Sequence, residues 1–94
     1  MIRDSFRVSN PSGLHARTAR ELVELLNEFD VSVSFTNPKK KVEASGDSIL
    51  ELMMLAAHAG TKLDVEIKGT DDNKAHRALQ NFFKMDPEKN DSTV

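Results

Sequence analysis

Residues 5–29 read SFRVSNPSGLHARTARELVELLNEF, and the spacing of apolar residues changes inside this stretch. Phe6 and Val8 alternate with polar residues, which predicts a half-buried strand. Residues 10–13 then form a turn, because Pro fixes φ and Gly permits unusual backbone angles. From Ala16 to about Phe29 apolar residues recur every three or four positions, which predicts a helix.

The patterns on either side of this stretch extend the prediction. Ile2 lengthens the first strand, and Gly60 and Gly69 mark the ends of later elements. Later strands are predicted at 31–36, 42–44 and 63–68. A second helix is predicted from Ser48 to about His58–Gly60. A last helix is predicted to start at Asp71 or Asp72 and to bury Ala75, Ala78, Leu79 and Phe82.

The resulting order is strand, helix, strand, strand, helix, strand, helix. Each predicted strand has one apolar and one polar face, which indicates an antiparallel sheet with one solvated face and helices covering the other. The fold class is therefore α+β. A chain of 94 residues suits a single domain, placed at 1–85, and the polar segment 86–94 is expected to be a disordered tail.

Composition excludes several classes of function. Thirteen Lys and Arg against fifteen Asp and Glu give a net charge of −2, without the basic excess of a general nucleic-acid binder. The absence of Cys excludes thiolate catalysis and Cys-ligated zinc, and His58 and His76 form no metal-ligand pattern. The charged N-terminus and short apolar runs predict a cytoplasmic protein with no membrane association.

The start of the first predicted helix carries unusual charges. Arg17 and Arg20 lie at the positive end of the helix dipole, where acidic residues are favoured, and His15 directly precedes it. This arrangement is reasonable if the backbone N–H groups of Ala16, Arg17 and Thr18 receive an anion such as phosphate. A neutral imidazole is also a nucleophile that can carry a group covalently. A solvated loop histidine beside exposed arginines would explain the same residues equally well.

The second predicted helix presents a different puzzle. Ser48 and Glu51 match the capping-box pattern. A helix on an open sheet needs one apolar face, so the excess of apolar residues predicts an exposed patch for binding a partner, unless the helix is buried all round. One stripe contains Ile49, Met53 and Ala56, bordered by Leu52, and the apolar residues elsewhere are Leu50, Met54 and Ala57.

Two segments resemble a known family. Residues 10–17, Asn-Pro-Ser-Gly-Leu-His-Ala-Arg, resemble the active-site signature of the HPr family, the histidine-containing phosphocarriers of the bacterial phosphotransferase system. Residues 48–53, Ser-Ile-Leu-Glu-Leu-Met, resemble that family's second helix, and the resemblance covers about residues 2–85. It implies an open-faced β-sandwich, with a four-stranded antiparallel sheet and three helices on one face.

The resemblance also implies a function. Enzyme I, charged by phosphoenolpyruvate, would phosphorylate His15 at Nδ1, and His15 would pass the group to IIA-type domains. Arg17 would stabilise the phosphoryl group, and Ser48 matches a serine that HPr kinase/phosphorylase modifies in many members. Leu50 and Met53 match positions that dock against Enzyme I and IIA domains. We expect Arg20 to belong to the same partner interface. The protein would be a monomeric carrier without metal or cofactor, not a free-standing enzyme.

The sequence departs from the family at Thr18, where Pro is usual. Its hydroxyl offers a possible bond to the phosphoryl group, and the loss of Pro puts transfer rate and partner preference in question. The segment before Ser48 is also about two residues longer than usual. Three alternatives stay open: a regulatory, nitrogen-type branch of the family; an acylphosphatase-like hydrolase, whose catalytic arginine loop we do not find; and a pure interaction module.

Overall fold

The computed structural model describes residues 1–9, 11–55 and 57–84. Asn10, Ala56, Met85 and the predicted tail at 86–94 lie outside the described residues. The element order is the predicted one: β1 (Ile2–Arg7), α1 (Ala16–Leu26), β2 (Val31–Asn37), β3 (Val42–Ser45), α2 (Ile49–Met54), β4 (Lys62–Gly69) and α3 (Asp72–Lys84).

The four strands form one antiparallel sheet in the order β1-β4-β2-β3. β4 pairs with both β1 and β2, so these two strands run in the same direction on either side of it. β2 and β3 form the predicted hairpin, in which Phe35 pairs with Ala44. Because side chains alternate along a strand, one face of the sheet carries Phe35, Val65 and Ile67 into the core. The opposite face is polar and includes an ion pair between Arg3 and Glu66 at 3.1 Å.

The first helix ends earlier than predicted, at Leu26 instead of about Phe29. The following turn is held by the sheet: the Asp30 carboxylate accepts a hydrogen bond from the Thr70 hydroxyl at 2.6 Å, and Val31 pairs with Gly69. A side chain at Gly69 would meet the Asp30 carbonyl oxygen at 2.3 Å. Between the helix and this contact the backbone forms tighter turns, in which Glu28 N–H donates to Leu25 O at 3.2 Å and Phe29 N–H to Leu26 O at 3.1 Å, so the α-helical bonding stops before Phe29.

The second helix is also shorter than predicted and ends at Met54, well before His58–Gly60. Two carbonyl groups beyond it are used by distant partners. The Asn37 side-chain amide donates to Leu55 O at 2.9 Å, and Leu14 N–H donates to Ala57 O at 2.9 Å. These groups would bond to later N–H groups if the helix continued, so tertiary contacts end it.

In the third helix the buried aromatic residue is Phe83, not Phe82 as predicted. Phe83 stacks on Phe6 of β1 with ring centroids 5.1 Å apart, whereas Phe82 and Ala78 are only partly buried. The third helix also brings His76 Nε2 to 2.7 Å from the Asp4 carboxylate. That hydrogen bond lowers the pKa of Asp4 below its ordinary value.

Across residues 1–9, 11–55 and 57–84, no helix is both long and apolar enough to cross a membrane. The same residues contain no group of three or more His, Cys, Asp or Glu side chains suited to holding a metal ion.

Candidate functional site at the N-terminus of α1

His15 caps the first helix. Its backbone is extended, with φ −100° and ψ −176°, and its carbonyl accepts the first helical hydrogen bond from Ala19 N–H at 2.8 Å. Its ring nitrogen Nδ1 accepts a hydrogen bond from Arg17 N–H at 3.3 Å. Histidine is not among the residues preferred at this position, where Ser, Thr, Asp and Asn dominate. Because His15 is the N-cap of α1, its ring lies at the positive end of the helix dipole.

The turn before His15 is fixed against the segment that follows α2. Gly13 adopts φ +72°, and a Cβ there would come within 2.4 Å of Ala57 O. The next residue, Leu14, is buried and donates its N–H to the same Ala57 carbonyl at 2.9 Å. Only glycine combines this backbone conformation with so close an approach. His15 is thus positioned by a packed turn, and not by a freely exposed loop.

Thr18 contacts the other side of the His15 ring. Its hydroxyl oxygen lies 3.2 Å from Nε2, and the residue is only 7% exposed. The sequence suggested this hydroxyl as a direct ligand of a phosphoryl group. In the structure it contacts the imidazole instead. The two ring nitrogens of His15 are therefore held by two successive residues of the same helical turn.

Arg17 contacts His15 through its backbone and not through its guanidinium. The Arg17 side chain is 84% exposed, and its Nε lies 3.8 Å from the Glu21 carboxylate. Arg20 makes an equivalent pair with Glu24, also at 3.8 Å. Exposed pairs at this distance contribute only about 0–1 kcal/mol, so either guanidinium can be redirected at little cost.

The charges around this helix start favour an anion. The first turn of α1 contains no acidic residue, while Arg17 lies within it. Outward-pointing N–H groups and an exposed guanidinium are the groups that bind phosphate at helix N-termini. A ring nitrogen with a lone pair in the same place can form a covalent bond to phosphorus. The arrangement thus combines a nucleophile with a binding site for the charge that it would carry.

The second helix starts with the predicted cap but not with the full capping box. Ser48 Oγ accepts from Glu51 N–H at 3.2 Å. The Glu51 carboxylate, however, accepts from Ser45 N–H at 2.9 Å instead of reaching back to Ser48. Ser48 thus has a structural role as a helix cap.

The second helix exposes apolar residues, as predicted. Its buried residue is Leu52, whereas the sequence pattern puts Leu52 only at the border of the apolar stripe. Ala57 is also buried, while Ala56 lies outside the described residues. We call the exposed set the α2 patch: Ile49 at 36% exposure, Leu50 at 68%, Met53 at 40% and Met54 at 63%.

The predicted site residues fall into two groups. His15, Ala16, Arg17 and Thr18 meet at the start of α1, and Ala57, just after α2, is bonded to that region. Ser48 lies at the other end of α2, the end remote from Ala57. The six residues of α2 give the helix a length of about 9 Å. The structure therefore places the α2 patch between the Ser48 end of that helix and the His15 region.

Asn37 is a residue that sequence reasoning missed. It is 2% exposed, and its amide holds Leu55 O, next to the segment that fixes Gly13 and Leu14. Among the described residues its Oδ1 has no hydrogen-bond partner. The sequence Asn-Pro predicts a turn, so the only signal for burial was the position of Asn37 two residues after Phe35 in an alternating strand.

Comparison with known proteins supports one family. A family model described as "PTS HPr component phosphorylation site" matches residues 2–85. The chain is 38% identical over 83 residues to phosphocarrier protein HPr of Neisseria meningitidis, covering 88% of this chain and 91% of that protein. It is 36% identical over 76 residues to phosphocarrier protein NPr of Proteus mirabilis, covering 81% and 83%.

A solved structure gives the same result for the fold. The crystal structure of HPr from Thermoanaerobacter tengcongensis superposes with a TM-score of 0.81 at 25% identity, covering 89% of this chain and 92% of that one. The four-stranded antiparallel sheet and the three helices agree with the fold expected from the resemblance. With the fold, the extent of the family match and the identity to curated phosphocarriers in agreement, the chain belongs to the HPr family of phosphocarrier proteins.

Proposed function

We propose that His15 is the residue that carries the phosphoryl group, received from Enzyme I and passed to a IIA-type domain. The observation that supports this most directly is the position of the His15 ring, with Nδ1 3.3 Å from the Arg17 N–H at the helix start. That contact is long for a hydrogen bond, so it is readily given up. The same N–H then becomes available to a phosphoryl oxygen.

The transfer is a displacement at phosphorus. The lone pair of Nδ1 forms the N–P bond, while the bond between phosphorus and the donor breaks and its electron pair leaves with the donor. Arg17 and the first-turn N–H groups, including those of Ala16 and Thr18, stabilise the transferred negative charge. The Arg17 guanidinium must turn from Glu21 toward His15, which the weak 3.8 Å pair allows. Transfer to the acceptor reverses these steps.

The partner surface combines the α2 patch with Arg20. Leu50 and Met53 supply exposed apolar area, and Arg20 supplies charge on the neighbouring helix. Leu50→Asp and Met53→Asp should weaken binding to Enzyme I while the melting temperature stays within a few degrees of wild type. Leu52→Asp is the control expected to unfold, because Leu52 is fully buried. An unfolded Leu50→Asp protein would contradict the docking role.

Ser48 is proposed as a regulatory phosphorylation site for HPr kinase/phosphorylase, in addition to its role as a cap. A phosphate there would lie at a helix N-terminus, where negative charge is favoured. The site borders the α2 patch, so the added charge would act on partner binding. Incubation with the purified kinase and ATP, followed by mapping of the modified residue, tests this role.

We also propose that the protein acts in the cytoplasm as a monomer, and as a substrate of its partners instead of a free-standing enzyme. A second candidate role is regulatory, in a nitrogen-type system. The 36% identity to an NPr protein favours it almost as strongly as the 38% identity to an HPr protein favours the sugar branch. Transfer rates to purified sugar-type and nitrogen-type IIA domains distinguish the two roles.

The decisive experiment uses purified protein, Enzyme I and phosphoenolpyruvate labelled in its phosphoryl group. We expect stoichiometric labelling that maps to His15, is lost in hot acid as expected for a phosphoramidate, and is absent in His15→Ala. His76→Ala, which alters a histidine of α3 that is hydrogen-bonded to Asp4, serves as the control and should label normally. Labelling of the His15→Ala protein, or an acid-stable label, would contradict the proposal.

A further inference from the structure

The His15 ring is held on both sides by groups of the first helical turn. Arg17 N–H lies 3.3 Å from Nδ1, and the Thr18 hydroxyl lies 3.2 Å from Nε2. Thr18 is the third residue of the helix start, one turn from the cap, so its side chain lies on the same face as His15. In a capping box the residue at this position bonds the backbone of the cap. Here it contacts the cap's side chain.

These two contacts determine which ring nitrogen carries the proton. A backbone N–H can only donate, so Nδ1 must present its lone pair to Arg17. In neutral histidine the proton then resides on Nε2, and Nε2–H donates to Thr18 Oγ. The opposite tautomer would place two N–H groups against each other at Nδ1. The Thr18 hydroxyl oxygen has a lone pair that accepts the Nε2 proton, so this contact and the Arg17 contact favour the same tautomer.

We propose that Thr18 is a positioning residue for phosphoryl transfer: by accepting the Nε2–H hydrogen bond, it holds the His15 ring in the tautomer that leaves the Nδ1 lone pair available. This inference rests on the proposed role of His15. Two features of Thr18 suit the role. It is only 7% exposed, which shields the hydrogen bond from water, and its branched side chain has few rotamers.

The same hydrogen bond becomes more valuable when the phosphoryl group is transferred. Nδ1 contributes its lone pair to the new N–P bond, the donor group leaves with the electron pair of its own bond, and Nε2 keeps its proton. The ring then carries one positive charge. A hydrogen bond from a charged donor is stronger than one from a neutral donor, so Thr18 stabilises the phosphorylated ring more than the free one.

The test compares two substitutions of similar size. Thr18→Val keeps the branched shape and removes the hydroxyl, whereas Thr18→Ser keeps the hydroxyl and removes a methyl group. In the unphosphorylated protein, nitrogen-15 NMR of the His15 ring should show the Nε2–H tautomer in wild type and Thr18→Ser. Thr18→Val should show a mixture of tautomers with faster exchange of the ring proton. Transfer from Enzyme I should slow about three- to tenfold in Thr18→Val and recover in Thr18→Ser.

Several results would overturn the role of Thr18. A predominantly Nδ1–H ring in wild type would do so without any variant, which keeps the test valid even if Thr18→Val folds poorly. Identical ring spectra and transfer rates in wild type and Thr18→Val would also contradict the role. A Thr18→Ser protein that behaves like Thr18→Val would contradict it as well. The ring spectra require no phosphoryl donor, so they test Thr18 even if labelling maps to a residue other than His15.

Discussion

The N-termini of α1 and α2 are both capped by a side chain, at nearly the same distance, yet they differ in the type of cap and in the charges of the first turn. At α2, Ser48 accepts from Glu51 N–H at 3.2 Å, and the acidic Glu51 lies in the first turn and binds Ser45 N–H. At α1, His15 accepts from Arg17 N–H at 3.3 Å, and the first turn has no acidic residue.

The difference lies in what completes the positive end of each helix. Glu51 supplies α2 with the negative charge that a helix start prefers, and Ser48 is among the preferred caps. The first helix has a weaker type of cap and a cation in its first turn, so it gives up stability there. A helix start without an acidic residue in its first turn is therefore the one to examine for an anionic ligand. The predictions that follow test this contrast, beginning with the largest expected effect.

Replacing His15 by Asn should separate capping from chemistry. Asn is a better cap than His and has no nucleophilic ring, so His15→Asn should lose phosphoryl transfer completely and keep or increase its free energy of unfolding by up to about 1 kcal/mol. Enzyme I labelling and urea denaturation measure the two effects. Loss of both transfer and stability would mean that the imidazole is itself needed for folding.

Gly13 and Gly60 form a matched pair for testing how the α1 site is positioned. Both have positive φ, +72° and +89°, but a Cβ would meet Ala57 O at 2.4 Å from Gly13 and nothing within 4 Å from Gly60. Gly13→Ala should cost at least about 3 kcal/mol of unfolding free energy and slow transfer, whereas Gly60→Ala should cost about 1–2 kcal/mol. Equal losses in the two variants would show that contact with Ala57 does not position His15.

Arg17 and Arg20 test whether the cation at the helix start serves the phosphoryl group. Each is exposed and lies 3.8 Å from a glutamate one turn later, so replacing either by Ala should change stability by less than about 1 kcal/mol. Arg17→Ala should reduce the transfer rate at saturating Enzyme I at least tenfold, because it removes a charge-assisted hydrogen bond. Arg20→Ala should instead raise the concentration of Enzyme I needed. Rapid-quench kinetics would contradict this division if both variants changed the same parameter.

Ser48 should show the smallest effects, because the start of α2 already has a preferred cap and an acidic residue in its first turn. Ser48→Ala should lower the free energy of unfolding by about 1 kcal/mol, while Ser48→Asp keeps a cap and should be at least as stable as wild type. Ser48→Asp should also bind Enzyme I severalfold more weakly, and high salt should reduce the difference if the cause is electrostatic. Titrations at low and high salt measure this. Equal affinity of Ser48→Asp and wild type would limit Ser48 to its capping role.

Local patterns in the sequence predicted all seven elements and their order. The alternation in β4 and the three- and four-residue spacing in α1 arise from side-chain directions along a strand and a helix, which need no knowledge of distant residues. The strand faces followed from the same alternation. His15 and Arg17 became candidates because a cation at a helix start conflicts with the local dipole, which is visible in a few consecutive residues. Their proposed roles rest on the resemblance of residues 10–17 to the HPr signature.

Tertiary structure decided where the helices end and how the site is held. The second helix ends at Met54 because Asn37 and Leu14, distant in sequence, bond to the Leu55 and Ala57 carbonyls. Burial of Phe83 instead of Phe82 depends on stacking against Phe6 of β1. The contact between Thr18 and His15 Nε2 requires a ring orientation that spacing does not specify. Periodicity reports which side of an element faces the core, but hydrogen-bond partners and ring orientations depend on which distant groups the fold brings together.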